Sequence, residues 1–358
     1  MFEKLGVSIS KLPGIEVHIC GFKAPLPTNN ANILFYPIFF FRRISISRVT
    51  AQLKFLKLLF KVKPQLLIVG THELLVSSLL YKAICPCTVM YDVQENYYLN
   101  LTTQKIYSPI IRYVAAGLIR GIEKLAAPFI HTFFLAEESY SHELNFTRNK
   151  FLILQNKYKP NAATDLPAAS NGIQLPPSGQ IKLLYSGTIS ELYGIFEAIL
   201  FCEALHQVNP RYNLIIVGYW PQTSIGEKVK QLIRNKPYIT LLGGDYLMPH
   251  TEIVRAITTS HVGLLPYHLH PSLVNCLPTK LFEYMAHHLP LVVQDNPVWN
   301  KIVHQYQAGI NIDFKNPDPH LIRQLLEERI FYRHVPLEEV LWLAEEEKLL
   351  YYLKNHFK

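Results

Sequence analysis

The stretch Asn275–Asp295 reads NCLPTKLFEYMAHHLPLVVQD, a turn, a short helix and a buried strand in direct succession. Pro278 interrupts whatever precedes it and Thr279 is placed to cap the helix that follows. Leu281, Met285 and Leu289 recur at helical spacing as a core-facing stripe, with Pro290 as the stop. Lys280 and Glu283 are three apart and face the same way. At a helix start the N–H groups favour an anion, a lysine adds a charged donor, and a carboxylate accepts hydrogen bonds from paired sugar hydroxyls. A nucleoside diphosphate suits that chemistry; an ordinary i,i+3 surface ion pair is the plainer alternative.

The same alternation of buried strand and helix fills the C-terminal half. Ile181–Thr188 is an apolar run that reaches a glycine turn at Gly187 and leads to a helix from about Ile195. Leu214–Gly218, Ile239–Gly244 and Val262–Tyr267 repeat the pattern, and Gly309–Ile312 with the helix 319–329 completes it. This is how a doubly wound parallel α/β sheet reads. A glycine between strand and helix lets backbone approach a phosphate, which makes Gly187, Thr188 and Gly218 candidates. His268 and His270 have no acidic partner at metal-ligand spacing, so no metal is expected there.

The N-terminal half shows it too, with apolar runs at 64–70, 88–91, 132–135 and 151–154 and a long helical pattern over 107–127. Ligands of open α/β sheets gather at the carboxyl ends of strands, which puts forward His72 and Glu73, and after the next strand Asp92, Gln94 and Glu95. Helix capping is the competing explanation of Asp92 and Glu95. A stretch rich in Pro, Ala and Ser separates the halves. The expected division is 1–157, a linker 158–180, 181–336, and a terminal helix 337–358 with Trp342, Leu349 and Leu350 buried and its acidic residues outward.

A chain of 358 residues, 49% apolar and 17% charged, affords two domains and excludes global disorder. The densest apolar run, 32–41, contains Pro37 and is too short to cross a bilayer, and Met1–Lys4 shows no export signal, so a cytoplasmic location is expected. Five scattered cysteines fit reduced thiols. Residues 1–180 hold 19 Lys plus Arg against 10 Asp plus Glu, while 181–358 hold 16 against 17, so the basic excess lies wholly in the first half. No recognition motif for nucleic acid accompanies it. Segment 42–63, RRISISRVTAQLKFLKLLFKVK, instead reads as a basic amphipathic helix able to lie on an anionic membrane surface, or as a helix covering a sheet with its lysines in water.

Pro278, Lys280–Ala286 and Leu289-Pro290 resemble the signature of bacterial glycosyltransferases of the GT-B fold, the family-four, group 1 type. The resemblance implies two Rossmann-like domains facing a cleft and transfer of a sugar, with retention and without metal, from a nucleotide diphosphate sugar to a glycan or lipid-linked acceptor of the cell envelope. Glu283 would bind the ribose, and Lys280 with the helix N-termini would steady the departing diphosphate. Gly187, Thr188, Gly218, Asn275, Leu277, Pro278 and Thr279 would line the donor site, and Tyr246 would meet the base. Asn275 stands where many members have a glutamate that contacts the donor sugar. Gln94 stands where histidine is usual in a segment, Asp92–Glu95, that faces the acceptor. Tyr193 stands near where the glycine loop often has lysine. The resemblance also implies a closing helix that returns to the N-terminal domain. It further implies an opening strand that 1–21 does not supply, from which a displaced start is expected. A catalytically idle nucleotide-binding scaffold, a sugar-binding protein and a sugar-nucleotide epimerase are the alternatives.

Overall fold

The structure is a computed structural model describing residues 2–24, 32–41, 45, 47–103, 108–160, 166–167, 172–333 and 338–357. Parts of the sequence-predicted segments, including 42–44 and 46 of the basic segment and 161–165 and 168–171 of the linker, lie outside the described residues. The chain divides into two compact units, Met1–Lys159 with Trp342–Lys358, and Pro160–Leu341.

The first unit opens with a π-helical turn, Phe2–Gly6, and α1 (Val7–Ile9). It continues through β1 (Val17–Phe22), β2 (Ile33–Phe39), α2 (Ser47–Val62), β3 (Leu66–Val69) and α3 (Leu75–Ile84). There follow β4 (Thr88–Val93), α4 (Tyr97–Thr103), α5 (Pro109–Ala126), β5 (Thr132–Leu135), α6 (Tyr140–Glu143) and β6 (Phe151–Ile153). All its strand pairs are parallel, but they form two sheets, β1-β2 and β3-β4-β5-β6, with no ladder joining them among the described residues. Side chains bridge the two: Val17 of β1 packs into the same apolar cluster as Leu66 and Ile68 of β3, and Cys20 into the same cluster as Leu67.

The last helix, α13 (Trp342–His356), belongs to this unit. Trp342 Nε1 donates to Ser8 Oγ at 2.9 Å, and Leu349 and Leu353 complete the cluster around Met90 and Phe134. Of the acidic residues expected to face outward, Glu338, Glu339 and Glu347 are exposed, but two others are not. Glu345 and Glu346 are buried, Glu345 with Lys157 Nζ at 2.7 Å and Glu346 with Lys11 Nζ at 2.7 Å, because the unit supplies two lysines to that face. Leu350, expected to be buried, is only partly so.

The second unit is one six-stranded parallel sheet in the order β12-β11-β10-β7-β8-β9. Its elements are β7 (Ile181–Thr188), α7 (Ile195–Val208), β8 (Tyr212–Tyr219), α8 (Thr223–Ile233), β9 (Ile239–Gly244) and α9 (His250–Thr258). Then come β10 (Val262–Leu265), α10 (Thr279–Ala286), β11 (Leu291–Gln294), α11 (Pro297–Gln305), β12 (Gly309–Ile312) and α12 (Pro319–Glu328). The order reverses between β7 and β10, the switch point at which ligands of such sheets bind. β10 and β11 are buried at every position, as strands covered by helices on both faces must be. Helix α10 ends at Ala286, before Pro290; His288 takes φ +54°, so a left-handed residue and not the proline turns the chain, and Leu289 is buried after the helix rather than on it.

Candidate functional site

At the carboxyl edge of the second sheet three glycines stand in register, Gly187 against Gly218 and Gly218 against Gly243. A Cβ on Gly218 would fall 1.8 Å from the Gly187 carbonyl oxygen, and one on Gly243, whose φ is +87°, 2.4 Å from that of Gly218. Three adjacent strands therefore present bare backbone one residue before their last. Over it lies Lys280: a Cβ on Gly187, itself at φ +109°, would come 3.2 Å from Lys280 Cε. The two stretches singled out in the sequence thus meet.

Lys280 occupies the first turn of α10. Thr279 is not the cap expected of it; it is the first helical residue, and Pro278, extended at φ −61° and ψ 135°, holds the cap position without a side-chain bond. Lys280 Nζ donates to Glu283 Oε2. Glu283 is buried, and its Oε1 is 2.7 Å from His250 Nε2, on the first residue of α9. Burial alone would raise the Glu283 carboxyl, but the His250 hydrogen bond and the Lys280 charge outweigh it and hold the group at about 2. The carboxylate is ionised across the physiological range. His250 was not singled out in the sequence, since a partner 33 residues away leaves no fixed spacing to read.

Packing fixes this arrangement. Tyr284 is buried next to Glu283, and its hydroxyl accepts from Ser186 N at 3.1 Å and meets Ser186 Oγ at 2.9 Å, tying α10 to the end of β7. Asn296 is wholly buried; it accepts from the Val298 and Trp299 N–H groups and donates to the Val274 carbonyl at 2.9 Å. Trp299 Nε1 donates to the Cys276 carbonyl at 2.7 Å. The start of α11 thereby holds the loop carrying Asn275, which is exposed, and Leu277, which is half-buried. Thr188 ends β7, and its carbonyl accepts from Tyr185 Oη at 3.0 Å. Tyr246 is 62% exposed after β9, and none of the described contacts joins it to Lys280 or Glu283. Tyr193 packs at a tilt against Tyr267, ring centroids 4.7 Å apart. His268 does have a carboxylate, Glu197 at 2.8 Å, supplied by α7 rather than by local sequence. No group of three His, Cys, Asp or Glu gathers among the described residues.

In the first unit the candidates cluster behind β3 and β4. His72 packs edge-on against Tyr97 at 4.5 Å, and burial, aided by the Arg48 charge, lowers it to about 4. Glu73 pairs with Arg48 at 2.6 Å. Asp92 is buried, which raises it to about 6, although Gln94 Nε2 donates to it at 2.6 Å. Glu95 is exposed and accepts from Asn100. Neither acid caps α4: Asn96 does, accepting from Leu99 N at 3.3 Å and from Arg120 at 2.6 Å. Tyr97, missed in the sequence, lies among these groups; burial first, then Glu95, Glu123, Glu73 and Asp92, push it up to about 12.

Residues 170–335 match the family Glycosyl transferases group 1. No curated protein matches the sequence. Among solved structures the chain is similar to sucrose-phosphate synthase from Thermosynechococcus elongatus, with TM-score 0.70 and 13% identity over 99% of this chain and 92% of that one. It is also similar to HepE of Anabaena in complex with UDP, at 0.60 and 12% over 86% and 82%. A third is a UDP-forming trehalose-phosphate synthase from Burkholderia xenovorans in complex with glucose-6-phosphate, at 0.67 and 8% over 98% and 95%. The fold is that of the GT-B glycosyltransferases.

Proposed function

We propose that this chain, a glycosyltransferase of the group 1 type with the GT-B fold, takes its sugar from a uridine or related nucleoside diphosphate donor held at the carboxyl edge of the second sheet. The observation that carries this reading is Lys280 lying over the Gly187 backbone beside a buried, ionised Glu283. A UDP-bound protein of the same fold supports the choice of donor.

The glycosidic bond breaks with oxocarbenium character, so the barrier falls as the departing diphosphate is stabilised. The Lys280 ammonium, the Gly187 and Gly218 backbone and the first turn of α10 supply that stabilisation. Glu283 clasps the ribose hydroxyls and holds the Lys280 side chain in place. Transfer proceeds with retention and without a metal, to a glycan or lipid-linked acceptor of the cell envelope. His72, Glu73, Asp92, Gln94 and Glu95 of the first unit contact that acceptor, and the chain works at the inner face of the membrane, with the lysines of α2 toward anionic lipid. Replacing Lys280 with alanine lowers donor turnover by about a hundredfold; unchanged turnover would remove its role.

A second reading is favoured by one observation. Gln94, an amide that moves no proton, is bonded to the buried Asp92, which suits a scaffold that binds nucleotide without transfer. Release of free sugar from the donor, measured with and without acceptor extracts, separates the two.

A further inference from the structure

We propose that the outer face of α2, α3 and α5 docks on an anionic lipid bilayer, inserting the apolar ridges of α3 and α5, with the lysines of α2 at the rim. This extends the reading that gave lipid contact to α2 alone, and it does not depend on the donor site.

Helix α5 is inverted relative to an ordinary surface helix, and α3, which buries Leu75 and Tyr81, is apolar on its outer face as well. On α3 the inward positions include Ser77 and Ser78, which donate to Gln52 Oε1 and the Leu74 carbonyl, whereas Val76, Leu80 and Ile84 point outward, Ile84 at 72% exposure. On α5 the inward positions hold Glu123, which accepts from Tyr91 Oη at 3.1 Å, and the partly covered Arg120. Its outward stripe is Ile111, Val114, Leu118 and Leu125, the last two 65% and 77% exposed. Helix α2 packs on α3, and α3 on α5, so these ridges form one continuous surface. Between α3 and α5 runs a groove of about 290 Å³ lined wholly by apolar side chains, Leu79, Leu80, Ile122 and Leu125 among them. An apolar surface of this extent marks an interaction site.

Charge selects the occupant. Glu123 is the only carboxylate on the three helices, and it is buried. The outer side of α2 adds Lys54, Lys57 and Lys61 beside Leu53 and Phe60. Apolar ridges flanked by cations and free of exposed acids complement acyl chains beneath anionic headgroups. None of the described helices is long and apolar enough to cross a membrane, so the contact is with one leaflet. The groove accepts an acyl segment of the same lipids.

The test uses the full chain and vesicles of phosphatidylcholine, with or without phosphatidylglycerol. Wild type co-sediments with the anionic vesicles alone. Leu118→Ser with Leu125→Ser, and separately Lys54→Glu with Lys57→Glu and Lys61→Glu, each reduce that partition by at least about tenfold. All these side chains are exposed, so nucleotide affinity and melting temperature stay as in wild type. The fluorescence that Leu80→Trp adds to that of the wild-type chain is quenched by brominated acyl chains. Three outcomes overturn the proposal: equal sedimentation of the serine pair, equal binding to neutral vesicles, or a wild-type dimer that the serine pair converts to monomer without any vesicle binding. Gly117 and Gly121, open on the same stripe, are where a second copy would seat. Loss of nucleotide binding in wild type would instead strike the donor reading and leave this one standing.

Discussion

His250 Nε2 lies 2.7 Å from Glu283 Oε1, on the opposite side of the carboxylate from Lys280. Two donors from different helices thus share one buried acid. A buried carboxylate with one partner removed is strongly destabilising, and this acid keeps a second if either is lost.

The first prediction concerns acid. Glu283 is held at about 2, below its unfolded value, so its contribution to stability is present above about pH 4.5 and is lost as the pH falls toward 2. The contribution is on the order of 3 kcal/mol. Denaturant melts at pH 6 and pH 3 should show a smaller acid loss for Glu283→Gln than for wild type; equal losses would contradict the assignment.

Asp92 has the opposite sign. Burial raises it to about 6, so the folded state takes up a proton more readily than the unfolded chain, and the cost of its charge grows as the pH rises from about 4 to 6. Asp92→Asn should raise stability near pH 7 by roughly 2 kcal/mol and leave it unchanged below about pH 4. Thermal melts across that range check both halves.

The glycine row predicts an order. Alanine at 218 would press on the Gly187 carbonyl, where neither backbone can yield, and should cost about 3 kcal/mol or more. Alanine at 187 meets only the flexible end of Lys280, and its positive φ should cost about 1–2 kcal/mol. Chemical denaturation of both variants tests the ranking, and the 187 variant should lose donor affinity in addition.

Asn296 caps α11 and holds the Val274 carbonyl at once. Its replacement by alanine should cost about 2 kcal/mol through the lost cap and the unsatisfied buried groups. Trp299→Phe removes the bond to Cys276 and leaves a cavity where the buried indole packs against Tyr267, so it should raise the donor KM by several-fold and lower the melting temperature as well.

What the sequence made legible follows from what is local. Fully apolar runs such as Val262–Leu265 announce buried parallel strands, and the three-residue spacing of Lys280 and Glu283 survives folding as a contact. Features set by distant packing were not legible. His250 reaches Glu283 from another helix, Arg120 of α5 reaches Asn96 at the start of α4, and Glu345 is drawn inward by Lys157. The inversion of α5 was hidden because its periodicity shows an apolar stripe without saying which way that stripe points; only the burial of Glu123 decides it. The separation of β1-β2 from β3–β6 likewise depends on ladders that no single run encodes.

The most direct measurement is calorimetric titration of nucleoside diphosphates into the wild-type chain and into His250→Ala, Lys280→Ala and Glu283→Gln. The account predicts binding to wild type, weakened about tenfold or more by Lys280→Ala and Glu283→Gln and less by His250→Ala, in which Lys280 still pairs with Glu283. Equal affinities in all four proteins, or no binding to wild type, would contradict it.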